Sequence, residues 1–104
     1  MESPFEITAY MITLRIEHRI ASYDGWRKAF DSDPLNRKQA GVRHYRIYQS
    51  KEDQNLVIIE LDFDHLEQAE SMRKALDNLF PKIEGTIIFG VQIKTFNLIE
   101  YTTL

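Results

Sequence analysis

Residues 10–18, Tyr10-Met11-Ile12-Thr13-Leu14-Arg15-Ile16-Glu17-His18, alternate apolar Ile12, Leu14 and Ile16 with polar Thr13, Arg15 and Glu17. Strand side chains point to opposite faces in turn, so this stretch predicts a strand with one buried and one polar face. The same alternation returns over residues 56–63, with Val57, Ile59, Leu61 and Phe63 on one face and Ile58, Glu60 and Asp62 on the other. A sheet built from such strands needs covering on its apolar side.

The segments between them supply that cover. Ser22 is placed to cap a helix that carries Tyr23, Trp26 and Phe30 on one side. Asp33-Pro34 reads as a second helix start, with Pro34 at the first helical position, so the helix is expected to break near Ser32 and its second piece to end at Gly41. Residues 42–50 form another strand, with Tyr45 and Ile47 opposed to His44, Arg46 and Tyr48, and residues 51–55 a turn. Asp64 as N-cap and Glu67 three residues on open a second helix, with Leu66, Ala69, Met72, Leu76 and Leu79 on one stripe and its stop at Pro81. Residues 86–101 are β-rich, Gly90 marking a bulge or bend, and the pattern leaves their facing open.

The order β-α-β-β-α-β, with apolar stripes on both helices, predicts an α+β ferredoxin-like domain: a four-stranded antiparallel sheet with two helices on one face. A chain of 104 residues holds one such core, so residues 1–104 are read as a single domain with residues 1–9 as an N-terminal extension.

Composition excludes several function classes. The absence of cysteine removes disulfides, thiolate nucleophiles and cysteine-bound metal centres. Thirteen basic against sixteen acidic residues give a net charge of −3, with the basic ones scattered among acids, which argues against nucleic-acid and anionic-membrane partners. The acidic start Met1-Glu2-Ser3-Pro4-Phe5-Glu6 lacks the basic-then-apolar order of a signal peptide, and no apolar run is long enough to span a bilayer. The expectation is a cytoplasmic protein.

The polar positions of three strands converge on one sheet face: Arg15, Glu17, His44, Arg46, Glu60 and Asp62, interleaved with Met11, Tyr48 and Ile58. This face is either solvated, with cross-strand ion pairs, or packed on a second copy of the chain. Its balanced signs and interleaved apolar residues favour a homodimer interface, provided the charges are paired, because an unpaired buried charge costs several kcal/mol.

Several stretches carry a family resemblance: Ile16-Glu17-His18, Tyr23-Asp24-Gly25-Trp26, Asp31-Ser32-Asp33-Pro34, Gly41-Val42-Arg43 ahead of Tyr45-Arg46-Ile47, and Glu60-Leu61-Asp62-Phe63-Asp64. Within residues 12–64 the chain resembles the dimeric α/β-barrel superfamily, in particular antibiotic-biosynthesis-monooxygenase-like proteins and a cyclase-like, uncharacterised bacterial branch. The resemblance implies a homodimer whose two sheets face each other with helices outside. It implies no single reaction, because that superfamily hosts oxygenases, isomerases, haem-degrading enzymes and proteins without a known reaction.

In monooxygenase-like relatives a ligand cavity lies between helices and sheet. Here the resemblance would line it with Tyr23, Trp26, Phe30 and Phe63, with His18 or Tyr45 as the candidate catalytic group handling a proton on a polycyclic ligand. Aromatic residues at helical spacing are also ordinary core, so a filled interior is the competing reading. His18, His44 and His65 fall on a strand end, the opposite sheet face and a helix start, without metal-ligand spacing. Haem-degrading relatives carry a histidine late in the second helix, and none follows His65 here. Glu60 and Asp62, roughly 6.5–7 Å apart along one strand, are read as ion-paired rather than catalytic. The resemblance therefore implies a cofactor-free small-molecule site, monooxygenase-like or cyclase/isomerase-like, and the residues leave open a non-catalytic ligand-binding, regulatory or structural dimer module.

Overall fold

The structure is a computed structural model and describes residues 11–104. The proposed extension over residues 1–9 lies outside the described residues. The elements run β1 (Ile12–Ile20), α1 (Tyr23–Asp31), β2 (Val42–Gln49), β3 (Leu56–Phe63), α2 (Leu66–Ile83) and β4 (Ile88–Asn97). They form one four-stranded sheet in the order β2-β3-β1-β4, with every neighbouring pair antiparallel, the ferredoxin-like arrangement.

Alternation settles the register. Leu14 pairs with Leu61 and Ile16 with Ile59, so the apolar sides of the two central strands coincide. Leu14, Ile16, Val57, Leu61 and Phe63 are almost fully buried beneath Ala69, Met72 and Leu76 of α2 and Trp26 of α1. Ser22 caps α1 by accepting a hydrogen bond from the Gly25 N–H at 3.2 Å. β4 pairs Arg15 with Lys94 and Glu17 with Gln92, which puts Gln92, Lys94 and Phe96 on the charged face. Between the pairs Glu17–Gln92 and Arg19–Phe89 the register shifts, and Gly90 sits there with φ +63°. The bulge at this glycine turns the last strand over, which is why its apolar residues do not alternate cleanly.

Four local expectations are corrected. The second helical piece ending at Gly41 is absent; residues 32–41 make successive turns, with Asp33 and Asn36 both at φ +50°. Both short polar residues tolerate the left-handed conformation, and Asp33 caps a turn by accepting the Arg37 N–H at 2.9 Å. The N-cap of α2 is His65, without a side-chain bond, because Asp64 binds Arg43 at 2.6 Å instead. Leu66 is half exposed and belongs to the outer surface, and α2 continues past Pro81 to Ile83.

No helix among the described residues is long and apolar enough to cross a membrane.

Candidate functional site

The space between sheet and helices is not completely filled. A cavity of about 220 Å³ lies against Ile16 and His18 of β1, Trp26 and Phe30 of α1, and Met72 and Leu76 of α2. The turns after α1 border it with Leu35 and Arg37, and the entry to β4 with Ile88. Nearly all of this lining is apolar, so a polar group facing it has few partners.

His18 is that group. It reaches the interior because β1 places it in phase with Leu14 and Ile16, on the apolar face, where it is only 1% exposed. Among the described residues neither Nδ1 nor Nε2 has a hydrogen-bond partner. Buried imidazole nitrogens are normally paired, and leaving one unpaired costs roughly 1–3 kcal/mol. Burial lowers the pKa of His18 to about 4, opposed in part by the negative charge of Glu84. At neutral pH the ring is therefore uncharged, with one nitrogen able to donate and the other to accept.

Aromatic side chains run outward from it. The Trp26 ring centroid lies 6.0 Å from that of His18 and 5.4 Å from that of Phe30, on which it stacks. Phe30 meets Tyr45 edge-on at 5.1 Å, and Tyr23 packs on Trp26 at 5.7 Å. His18, Trp26 and Phe30 border the cavity. Tyr23 and Tyr45, each 42% exposed, do not line it, nor does Phe63, which is fully buried in the sheet–helix core. Arg37 carries no motif in the sequence, yet its guanidinium lies 3.8 Å above the Phe30 ring and 5.3 Å from that of Tyr45. A helical reading of residues 33–41 hid it; the turns fold Arg37 back over α1, where Nη1 donates to the Phe30 carbonyl at 2.8 Å.

The opposite sheet face carries a separate network centred on Asp62, itself 1% exposed. Its carboxylate accepts from Thr13 Oγ1 at 2.7 Å and from both terminal nitrogens of Arg46 at 2.6 and 3.0 Å, with His44 Nδ1 at 2.6 Å. Burial pushes its pKa up, but the hydrogen bonds from Arg46 and Thr13 outweigh it and hold Asp62 below the usual carboxylate range. Arg46 Nε also donates to Glu60 at 3.0 Å. Arg15 and Glu17 approach to 4.0 Å, and Tyr48 is half exposed beside the partly buried Ile58. Met11, just ahead of β1, is buried. Among the described residues no three His, Asp or Glu side chains are grouped to hold a metal.

No family model matches the chain, and no curated protein matches it in sequence. Solved structures share its fold. A cofactor-independent oxygenase, SnoaB from Streptomyces nogalater, superposes with a TM-score of 0.66 at 12% identity, over 92% of this chain and 98% of its own. A dimeric ferredoxin-like protein from an uncultured marine organism gives 0.66 at 13% identity, over 91% and 93%. A candidate antibiotic biosynthesis monooxygenase from Nitrosomonas europaea gives 0.59 at 10% identity, over 86% and 90%. At these identities the likeness concerns the fold, one that serves small-molecule chemistry in some of its bearers.

Proposed function

We propose that this protein binds and transforms a small organic molecule in the cavity between helices and sheet, with neutral His18 as its polar contact. The observation that carries this reading is the buried imidazole whose two nitrogens are unpaired against an apolar cavity. Such a site is complementary to a ligand with an apolar ring body and one hydroxyl or carbonyl group. An apolar cavity of about 150 Å³ accommodates benzene, so about 220 Å³ suits one to two fused rings.

A bound hydroxyl would donate to one imidazole nitrogen, or a carbonyl would accept from the N–H, and the ring would relay a proton as the ligand changes. This suits cofactor-free chemistry of the monooxygenase-like or cyclase/isomerase-like kind, and the cofactor-independent oxygenase among the structural neighbours supports it. A second reading, a binder without turnover, draws support from the low basicity of His18, since proton transfer is most efficient when the catalytic pKa lies near the working pH.

We place the charged sheet face in a homodimer. Asp62 is already paired within one subunit, so covering it with a second copy costs less than burying a lone charge. The dimeric ferredoxin-like neighbours support the same assembly.

Calorimetric titration with 2-naphthol tests the site. The wild type should bind and His18→Leu should bind at least tenfold more weakly, the loss of one hydrogen bond in a dry site. Equal affinity, or no binding to either, contradicts the proposal. Oxygen uptake with bound 2-naphthol then separates an oxygenase from a binder.

A further inference from the structure

A second, open concavity adjoins the first. It is bordered by Asp33, Arg37, Lys38, Arg43, His44 and Tyr45, and it shares Asp33 and Arg37 with the apolar cavity. Arg37 therefore stands on the boundary between an apolar chamber and a cationic vestibule.

The charges of that vestibule are unequal. Arg37, Lys38 and Arg43 face one carboxylate of its lining, Asp33, on a chain whose overall charge is −3. Asp33 is occupied: Oδ1 accepts the Arg37 N–H at 2.9 Å and lies 3.5 Å from Arg37 Nη1. Arg43 is partly neutralised by Asp64. Lys38 makes no ion pair among the described residues. The Arg37 side chain is only 19% exposed and pinned at Nη1, and its Nε and Nη2 donate to no protein group among the described residues. A guanidinium held over the Phe30 ring with donors to spare is preorganised for an anion.

We propose that the natural ligand is an amphipathic carboxylate: its ring body occupies the apolar cavity and its carboxylate is held at the vestibule by Arg37 and Lys38. This rests on the cavity reading above and narrows it, because it predicts a charge at the end of the ligand away from His18.

The test is a matched pair of probes, 6-hydroxy-2-naphthoate and the neutral 6-hydroxy-2-naphthamide, titrated calorimetrically into the wild type, Arg37→Gln and Lys38→Gln. Binding is also followed through the indole N–H resonance of Trp26, the single tryptophan. The wild type should prefer the acid by about tenfold, the difference between a charge-assisted and a neutral hydrogen bond. Lys38→Gln should weaken the acid by up to about fivefold and leave the amide unchanged. Arg37→Gln should abolish the preference. Because that substitution also removes the bond to the Phe30 carbonyl, Lys38→Gln, a surface change, decides the matter if Arg37→Gln fails to fold. Equal binding of acid and amide by the wild type overturns the carboxylate proposal and leaves the cavity reading standing. Binding of neither probe overturns both.

Discussion

The imidazole of His18 and the indole of Trp26 lie 6.0 Å apart, centroid to centroid, and are inclined at 41°, with no hydrogen bond from either ring nitrogen of the histidine to any of the described residues. One wall of the cavity is thus an aromatic plane and a neutral polar edge. The pair separates two roles that sequence alone cannot divide: Trp26 contributes packing, and His18 contributes an unsatisfied polar group that weakens the fold.

His18→Leu should therefore stabilise the protein at neutral pH, by about 1–2 kcal/mol, because an unpaired buried polar group is replaced by an apolar one. A pH dependence follows. The folded-state pKa of His18, about 4, lies below its ordinary 6.5, so on acidification the unfolded chain takes up a proton that the folded chain declines. The contribution is level above about pH 6.5 and is lost as pH falls towards 4. Urea unfolding at pH 7.5 and 5 should show the advantage of His18→Leu widening by about 2 kcal/mol. A constant difference would mean that His18 is not held neutral by burial.

Trp26→Ala should lower stability by about 3 kcal/mol, the low end for a buried large aromatic, because one side of the indole faces the cavity and loses nothing there. Trp26 is 4% exposed and stacks on Phe30, so a melting temperature within a degree of the wild type would contradict its packing role.

On the other face, Arg46→Met leaves the buried Asp62 carboxylate without its two-pronged partner. The expected loss is about 2–3 kcal/mol of folding stability, and sedimentation should show weaker association if this face forms the proposed dimer. Asp62 titrates low in the folded protein, so the benefit of its pairing is present above the ordinary carboxylate range and fades as pH falls through its folded value. A variant of unchanged stability and unchanged sedimentation would show the network to be idle.

Gly41→Ala should destabilise by about 1–2 kcal/mol, the cost of a left-handed backbone to a residue with a Cβ. Gly41 has φ +103°, and a Cβ there would come within 2.6 Å of the Gln68 side chain. The atoms it meets are the far end of a flexible side chain that can swing aside, so adding Gln68→Ala should recover little of the loss, as measured by denaturant midpoints.

Legibility in the sequence follows the same division between periodic and local information. Ile12, Leu14 and Ile16 against Val57, Ile59 and Leu61 announce two strands and their shared face, because period two is unambiguous when one side is buried. The converging charges on that sheet's other face were readable for the same reason. What escaped depends on single-residue backbone choices. Asp33-Pro34 looks like a helix start, yet φ +50° at Asp33 and Asn36 turns the chain, and only that turn brings Arg37 onto Phe30. Gly90 hints at a bulge, but which face Lys94 joins depends on how the ladder resumes after it. His18 continues the apolar side of β1, so its burial follows from the alternation. That its nitrogens find no partner depends on α1 and α2 offering only apolar atoms, a tertiary fact.

The most direct test of the central claim is a nitrogen-15 spectrum of the histidine rings during titration with 2-naphthol. Saturation should shift the ring-nitrogen signals of His18 as one of them gains a hydrogen-bond partner, while those of His44, bound to Asp62, and the exposed His65 stay in place. Saturable binding that leaves His18 unmoved would contradict the assignment of this cavity as the functional site.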